Sequence, residues 1–173
     1  PLAESAFDLE QASDGTARLT GLAAGVQSAD RASHALVWTS AGDCVALAPL
    51  DRAGVTIVAR PTWDATHRLF DLRFTGVELD GALVLARGTV AQALVRRLVT
   101  LRDLGLAADA VGGANALLDL TVEHLQVRRQ FGRPLALFQA LKHRCADLKT
   151  LIAAAEALLL DTLGRLGDAI ADA

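Results

Sequence analysis

Between Thr121 and Asp147 the chain reads TVEHLQVRRQFGRPLALFQALKHRCAD, its densest gathering of side chains able to do chemistry. Arg128, Arg129 and Arg133 collect where a helix is expected to end. Two chemistries suit them. Cations at a helix C-terminus complement the negative end of its dipole, which is plain end-capping. An arginine fork also matches the oxygens of a phosphate, which is anion binding. Phe131 and Phe138 add flat apolar faces beside that fork, and Gln130 and Gln139 add amides. A nucleotide diphosphate with its adenine needs such a set of groups. Spacing alone leaves both readings open.

Other reactive residues lack partners. Glu123 and His124 are adjacent on the expected helix, so they point in different directions and form no acid–base pair. His143 follows Lys142 and reads as a structural or surface histidine. His34 and His67 have no carboxylate or cysteine cluster at ligand spacing, so no metal is expected. Cys44 and Cys145 stand far apart and read as two buried thiols of a reducing, cytoplasmic setting. Trp38 and Trp63 read as core or edge packing.

These groups must be positioned by two kinds of element. Up to Gly88, short apolar runs alternate with turn residues: 35–38, 45–48, 55–58, 69–74 and 83–85, with Asp14-Gly15, Gly42-Asp43 and Thr75-Gly76 among the breaks. That pattern predicts a small antiparallel β-domain over 1–88. Phe70, Leu72 and Phe74 share one face of their strand, with Asp71 and Arg73 on the other. From Thr89, a possible helix cap, the period changes. Leu101, Leu104, Ala108, Val111, Asn115, Leu118, Val122 and Leu125 form one stripe, and Phe138, Leu141, Cys145, Leu148, Ile152, Ala155 and Leu159 a second. Gly132 and Pro134 between them reverse the chain. The first helix would run about 35 residues, or roughly 50 Å. Residues 89–173 are thus expected as long antiparallel helices of a four-helix-bundle type domain, and the fold class as α+β. Small residues crowd the first helix from Gly105 to Ala116, which suits either tight packing in its own bundle or a ligand contact.

Composition narrows the classes. The 173 residues are 52% hydrophobic and 21% charged with net charge −3, which excludes disorder and argues against nucleic-acid binding. The longest runs without a charge, 19–29 and 32–42, fall short of the ~20 residues of a membrane-spanning helix. No secretory signal is legible, and a start without Met suggests a piece of something longer.

The stretch around Arg128 resembles the acyl-CoA dehydrogenase family. That family's C-terminal helical domain carries Arg-x-Gln-Phe-Gly-x-Pro-(aliphatic)-x-x-Phe-Gln, followed by Lys-His and Ala-Asp. Here the matching residues are Arg128, Gln130, Phe131, Gly132, Pro134, Leu135, Phe138, Gln139, Lys142, His143, Ala146 and Asp147. The part before Gly88 resembles the end of the family's middle β-domain more weakly, through Asp14-Gly15 to Leu19-Thr20-Gly21, then Ala29-Asp30, and through Asp71-Leu72 to Val77-Glu78-Leu79 as its closing strand. The family's N-terminal helical domain has no counterpart in these residues. The resemblance implies an oxidoreductase of fatty acid or sterol β-oxidation that takes an α-hydrogen from an acyl-CoA as a proton and a β-hydrogen as a hydride. FAD, held between subunits, receives the hydride, and electrons pass to an electron-transferring flavoprotein. Carried over by position, Arg128 and Gln130 would meet the FAD diphosphate, and Phe131, Phe138 and Gln139 its adenosine side. A cofactor so shared implies a homo- or hetero-oligomer, dimer or tetramer.

Two positions depart from the family pattern. Some members place the catalytic Glu on the first long helix beside an Arg, where this chain has Arg102 and Asp103. Others carry it in a later loop. No catalytic base is therefore assigned. Many members also have Trp-(Ile/Val)-(Ser/Thr) over the flavin, where Gly25-Val26-Gln27 stands here. A non-catalytic subunit that shares FAD with an active partner is the alternative these departures raise.

Overall fold

Alternation makes β6 (Leu69–Leu79) the centre of the first sheet: Leu72 and Phe74 are 2% and 1% exposed, while Arg73 between them lies in solvent. In this computed structural model, which describes residues 6–11, 16–64 and 66–171, β6 pairs antiparallel with β2 (Ala17–Gln27) and β5 (Val55–Arg60), and β1 (Ala6–Gln11) flanks β2. A second antiparallel sheet orders β3 (His34–Trp38), β4 (Cys44–Pro49) and β7 (Val84–Arg87). Their inner faces share one core, where Phe7 meets Phe74 edge-on at 5.8 Å among Leu19, Val37, Ala46, Leu72 and Val77. β4 is buried on both faces because Val45 points the other way, onto Ala86 and Ala91 with Trp38, Leu94 and Val95 around them.

Four expected strands fall inside β3 to β6. The fifth starts one residue later, because Asp80 accepts the Ala82 N–H at 3.0 Å and winds Gly81–Leu83 into a single 3-10 turn. β1 and β2 escape the periodicity reading. β2 carries an irregularity between Ala23 and Val26, where Gly25 takes a left-handed φ of 68° and gives its N–H to Asp71 Oδ1 at 2.9 Å. The expected turn at Asp14-Gly15 lies outside the described residues.

Two long helices follow. α1 (Gly88–Val127) has 40 residues, about 60 Å at 1.5 Å per residue, and α2 (Gln139–Ala171) has 33. Thr89 is not the cap: the helix opens at Gly88, whose N–H reaches the Asp43 carbonyl at 2.7 Å. The helices run antiparallel. Cys145 faces Leu118 and Val122 across a groove, and one turn on Lys149 Nζ donates to Asn115 Oδ1 at 2.9 Å. Leu118 is 7% exposed at the centre of the first stripe, with Leu104, Val111 and Leu125 half-buried along it. The second stripe needs a correction. Leu148 is 48% exposed, whereas Cys145 and Ile152 are half-buried and Lys149, itself exposed, reaches across to Asn115. The reading of Trp63 is also corrected: it stands fully exposed in the loop after β5 and packs into no core. A Cβ on Gly105, Gly112 or Gly113 would meet nothing within 4 Å, so among the described residues nothing presses on these three glycines of α1.

The chain divides into two compact units, Pro1–Leu98 and Val99–Ala173, with α1 contributing to both. The architecture, antiparallel sheets and then long antiparallel helices, is the expected α+β class. No described helix is long and apolar enough to cross a membrane.

Candidate functional site

The end of α1 and the start of α2 are joined by a very small β-hairpin. The Arg128 N–H still donates to the His124 carbonyl at 2.9 Å, the last bond of helical type. The Arg128 carbonyl then accepts the Leu135 N–H at 2.8 Å, and β8 (Arg129–Gln130) pairs with β9 (Arg133–Pro134). Phe131 and Gly132 form the tip with φ of 50° and 76°. Two left-handed central residues define the type I′ turn, whose twist fits a two-residue hairpin. Gly132 adopts that backbone freely, whereas for Phe131 it costs about 1–2 kcal/mol. The chain thus reverses as expected, through a turn that strains an aromatic residue.

That strained residue is 89% exposed. Its ring meets Phe138 edge-on at 6.1 Å and 72°, and the Arg133 guanidinium lies 4.1 Å from the Phe138 centroid. Arg129 Nη2 donates to the Gly132 carbonyl at 3.3 Å and closes the turn. Arg128, Gln130 and Gln139 are exposed, and the Arg128 side chain has no partner among the described residues. All five sequence-derived cofactor residues therefore belong to one hairpin and the first residues beyond it.

The local charge has one sign. No acidic residue stands between Glu123 and Asp147, against Arg128, Arg129, Arg133, Lys142 and Arg144. A free guanidinium, two flat rings and two exposed amides in such a field fit an anionic ligand carrying an aromatic group, and FAD is of that chemical type. The stacking of Arg133 and the turn-closing bond of Arg129 were not legible in the sequence, because a type I′ turn with Phe in its first central position has no sequence signature.

The first-helix position offers no free base. Arg102 Nε and Nη2 both donate to Asp103 Oδ1, at 2.9 and 2.6 Å, and the Asp103 side chain faces solvent. Proton abstraction from carbon needs an unengaged carboxylate in dry surroundings. Arg102 Nη1 is buried without an acceptor among the described residues. At the other departure Gly25 has no side chain to cover a ring. Arg60 Nη1 passes beside it and pairs with Asp71 at 3.4 Å, and Gln27 ends β2 in solvent.

Glu123, His124 and His143 are exposed. His67 Nδ1 is bound to Asp64 Oδ2 at 2.7 Å, and hydrogen bonds from Thr66 and then His67 hold the Asp64 carboxyl down at about 2. Burial pushes the Cys44 thiol up, while Cys145, expected to be buried as well, is only half-buried at the groove between the helices. Among the described residues no three His, Cys, Asp or Glu side chains could hold a metal ion.

Comparison with known proteins supplies the context. Residues 93–172 match the model of the acyl-CoA dehydrogenase C-terminal domain. The acyl-CoA dehydrogenase IpdE2 of Mycolicibacterium smegmatis is 38% identical over 108 residues, which are 62% of this chain and 31% of that protein. A glutaryl-CoA dehydrogenase from Mycobacterium smegmatis in complex with FADH2 superposes with a TM-score of 0.78 at 24% identity, over 98% of this chain and 44% of that one. The ChsE4–ChsE5 complex from Mycobacterium tuberculosis gives 0.77 at 26% identity, over 95% of this chain and 45% of that one. The chain thus spans less than half the length of each of these relatives.

Proposed function

We propose, for a chain related to the acyl-CoA dehydrogenases through its helical part and through the fold of both parts, that it is a cofactor-gripping segment of an FAD-dependent enzyme acting on the CH–CH bond next to an acyl-CoA thioester. Residues 1–88 correspond to the end of that family's middle β-domain and 89–173 to part of its C-terminal helical domain. FAD, when bound, supplies the hydride acceptor.

Arg128 and Gln130 hold its diphosphate, the guanidinium through charge-assisted hydrogen bonds. Phe131, Phe138 and Gln139 line its adenosine side. One observation carries the reading: the hairpin keeps Phe131 exposed in a left-handed backbone, three residues after Arg128, whose guanidinium has no partner among the described residues. Strain of that kind persists where the surroundings over-determine it, and it concentrates at ligand clamps. As the resemblance to the family implies, most of the cofactor belongs to a neighbouring protomer, in a homo- or hetero-oligomer. The other partners are the acyl-CoA substrate and an electron-transferring flavoprotein, in a cytoplasmic setting that suits the free thiols of Cys44 and Cys145.

A second reading, a subunit that shares FAD but does no chemistry itself, is favoured by the Arg102–Asp103 pair. There the proton acceptor comes from a partner, and the related ChsE4–ChsE5 structure is itself a complex of two proteins. The visible spectrum of the full-length protein, purified alone and co-expressed with a homologous partner, tests both. Yellow protein that bleaches alone with an acyl-CoA supports the enzyme. Colour only with the partner supports the shared-cofactor subunit, and no flavin in either case refutes both.

A further inference from the structure

The hairpin carries a second guanidinium that the family motif leaves unspecified. In the β8–β9 ladder Gln130 stands opposite Arg133, and Arg129 opposite Pro134. Residues directly paired share a face, and neighbours along a strand alternate. Gln130 and Arg133 therefore lie on one face of the hairpin, Arg129 and Pro134 on the other. The bond from the Leu135 N–H to the Arg128 carbonyl extends the ladder by one pair, which returns Arg128 to the face of Gln130 and Arg133.

The three arginines are thus not equivalent. Arg129 spends its guanidinium on the Gly132 carbonyl across the turn. Arg133 lies over the Phe138 ring at 4.1 Å, and no acceptor among the described residues takes its N–H groups. The contact with the ring holds the guanidinium in place without using any of its N–H donors. Such a fork loses less freedom on meeting an anion than one on a loose side chain.

We propose that Arg133 is a second cation of the diphosphate site, pre-set by Phe138 and acting on the same face as Arg128 and Gln130. This rests on the FAD reading above and adds a residue to it. Phe138 then has two tasks: one ring face carries Arg133, and its edge-on contact with Phe131 keeps the aromatic side of the site in place.

The alternative is that Arg133 only props the ring, and nucleotide fragments separate the two roles. In the full-length assembly stripped of flavin, ADP carries the diphosphate and adenosine does not. Arg133→Ala is expected to weaken ADP binding about tenfold, the loss of one charged hydrogen bond, and to leave adenosine binding unchanged. Its ADP affinity should also fall less steeply with added KCl than the wild type's. Arg133→Lys, which keeps the charge but not the stacked fork, should fall between the two. Phe138→Leu, with the platform gone, should weaken ADP as well. Equal weakening of ADP and adenosine by Arg133→Ala would make the residue a prop and overturn the proposal, as would ADP binding at wild-type strength. Wild-type assembly that binds neither FAD nor ADP would overturn the FAD reading itself, and Arg133 with it.

Discussion

Phe131→Asn separates the stability of the hairpin from its grip on the cofactor. The wild-type tip holds a phenyl ring at φ 50°, a backbone that costs a bulky residue about 1–2 kcal/mol. Asn tolerates this region, and Asn before Gly is the favoured pair for a type I′ turn. Against that relief stands the edge-on contact with Phe138 at 6.1 Å. Such pairs contribute about 0.5–1.5 kcal/mol, and with Phe131 89% exposed the lower end applies. The two effects leave the flavin-free variant as stable as wild type or more stable by about 1 kcal/mol, a rise of at most ~4 °C for a domain of this size. Cofactor binding moves the other way, because an aromatic face of the adenosine side is gone. A tenfold weaker FAD dissociation constant, about 1.4 kcal/mol, is expected. Thermal melts of the flavin-free full-length assembly and quenching of FAD fluorescence on titration read the two quantities separately. A melt several degrees below wild type would show that the exposed ring stabilises the hairpin. Unchanged FAD affinity would show that the ring does not touch the cofactor.

Leu118→Asp should abolish cooperative unfolding or cost more than about 3 kcal/mol, because it places a charge on the buried leucine of α1 that faces α2. Leu148→Asp, on the exposed side of α2, should stay within about 1 kcal/mol of wild type, and circular-dichroism melts compare the two. Lys149→Ala leaves Asn115 Oδ1 without its 2.9 Å donor and should destabilise by about 1 kcal/mol; a double-mutant cycle with Asn115→Ala should recover most of that loss. The Asp64 carboxyl, lowered from 3.8 to about 2, contributes stability that is present above its unfolded pKa and is lost as the pH falls toward about 2. NMR titration should find its midpoint near the lower value, and Asp64→Asn should flatten that part of the acid limb; a midpoint near 3.8 would refute the Thr66 and His67 bonds.

Much of this fold was legible because burial imposes a period. The alternation is sharp at Leu72, Arg73 and Phe74, since β6 has a core on one face and solvent on the other, whereas Phe70 and Asp71 before them are both half-buried. β2 was harder to read: its glycines and its irregularity near Gly25 break the alternation that would have marked it. On α2 the stripe misled at Leu148, which is exposed, while the neighbouring Lys149 makes the cross-helix contact by reaching Asn115. Hydrophobic spacing cannot anticipate a cross-helix hydrogen bond. The candidate site divides in the same way. Its residues stood together in the sequence, but the pairing of Gln130 with Arg133, the left-handed Phe131 and the stack on Phe138 arise only once the tip closes. Trp63, whose size suggested a core, is exposed because its loop packs under neither sheet.

Flavin bound per protomer in the intact assembly, measured for wild type and for Arg128→Ala after gel filtration, bears most directly on the proposed diphosphate grip. The wild type should keep its flavin, while the variant should lose most of it and show an unchanged flavin-free melt, since the Arg128 side chain has no other partner among the described residues. An Arg128→Ala assembly as yellow as the wild type would contradict the assignment of this hairpin to the cofactor.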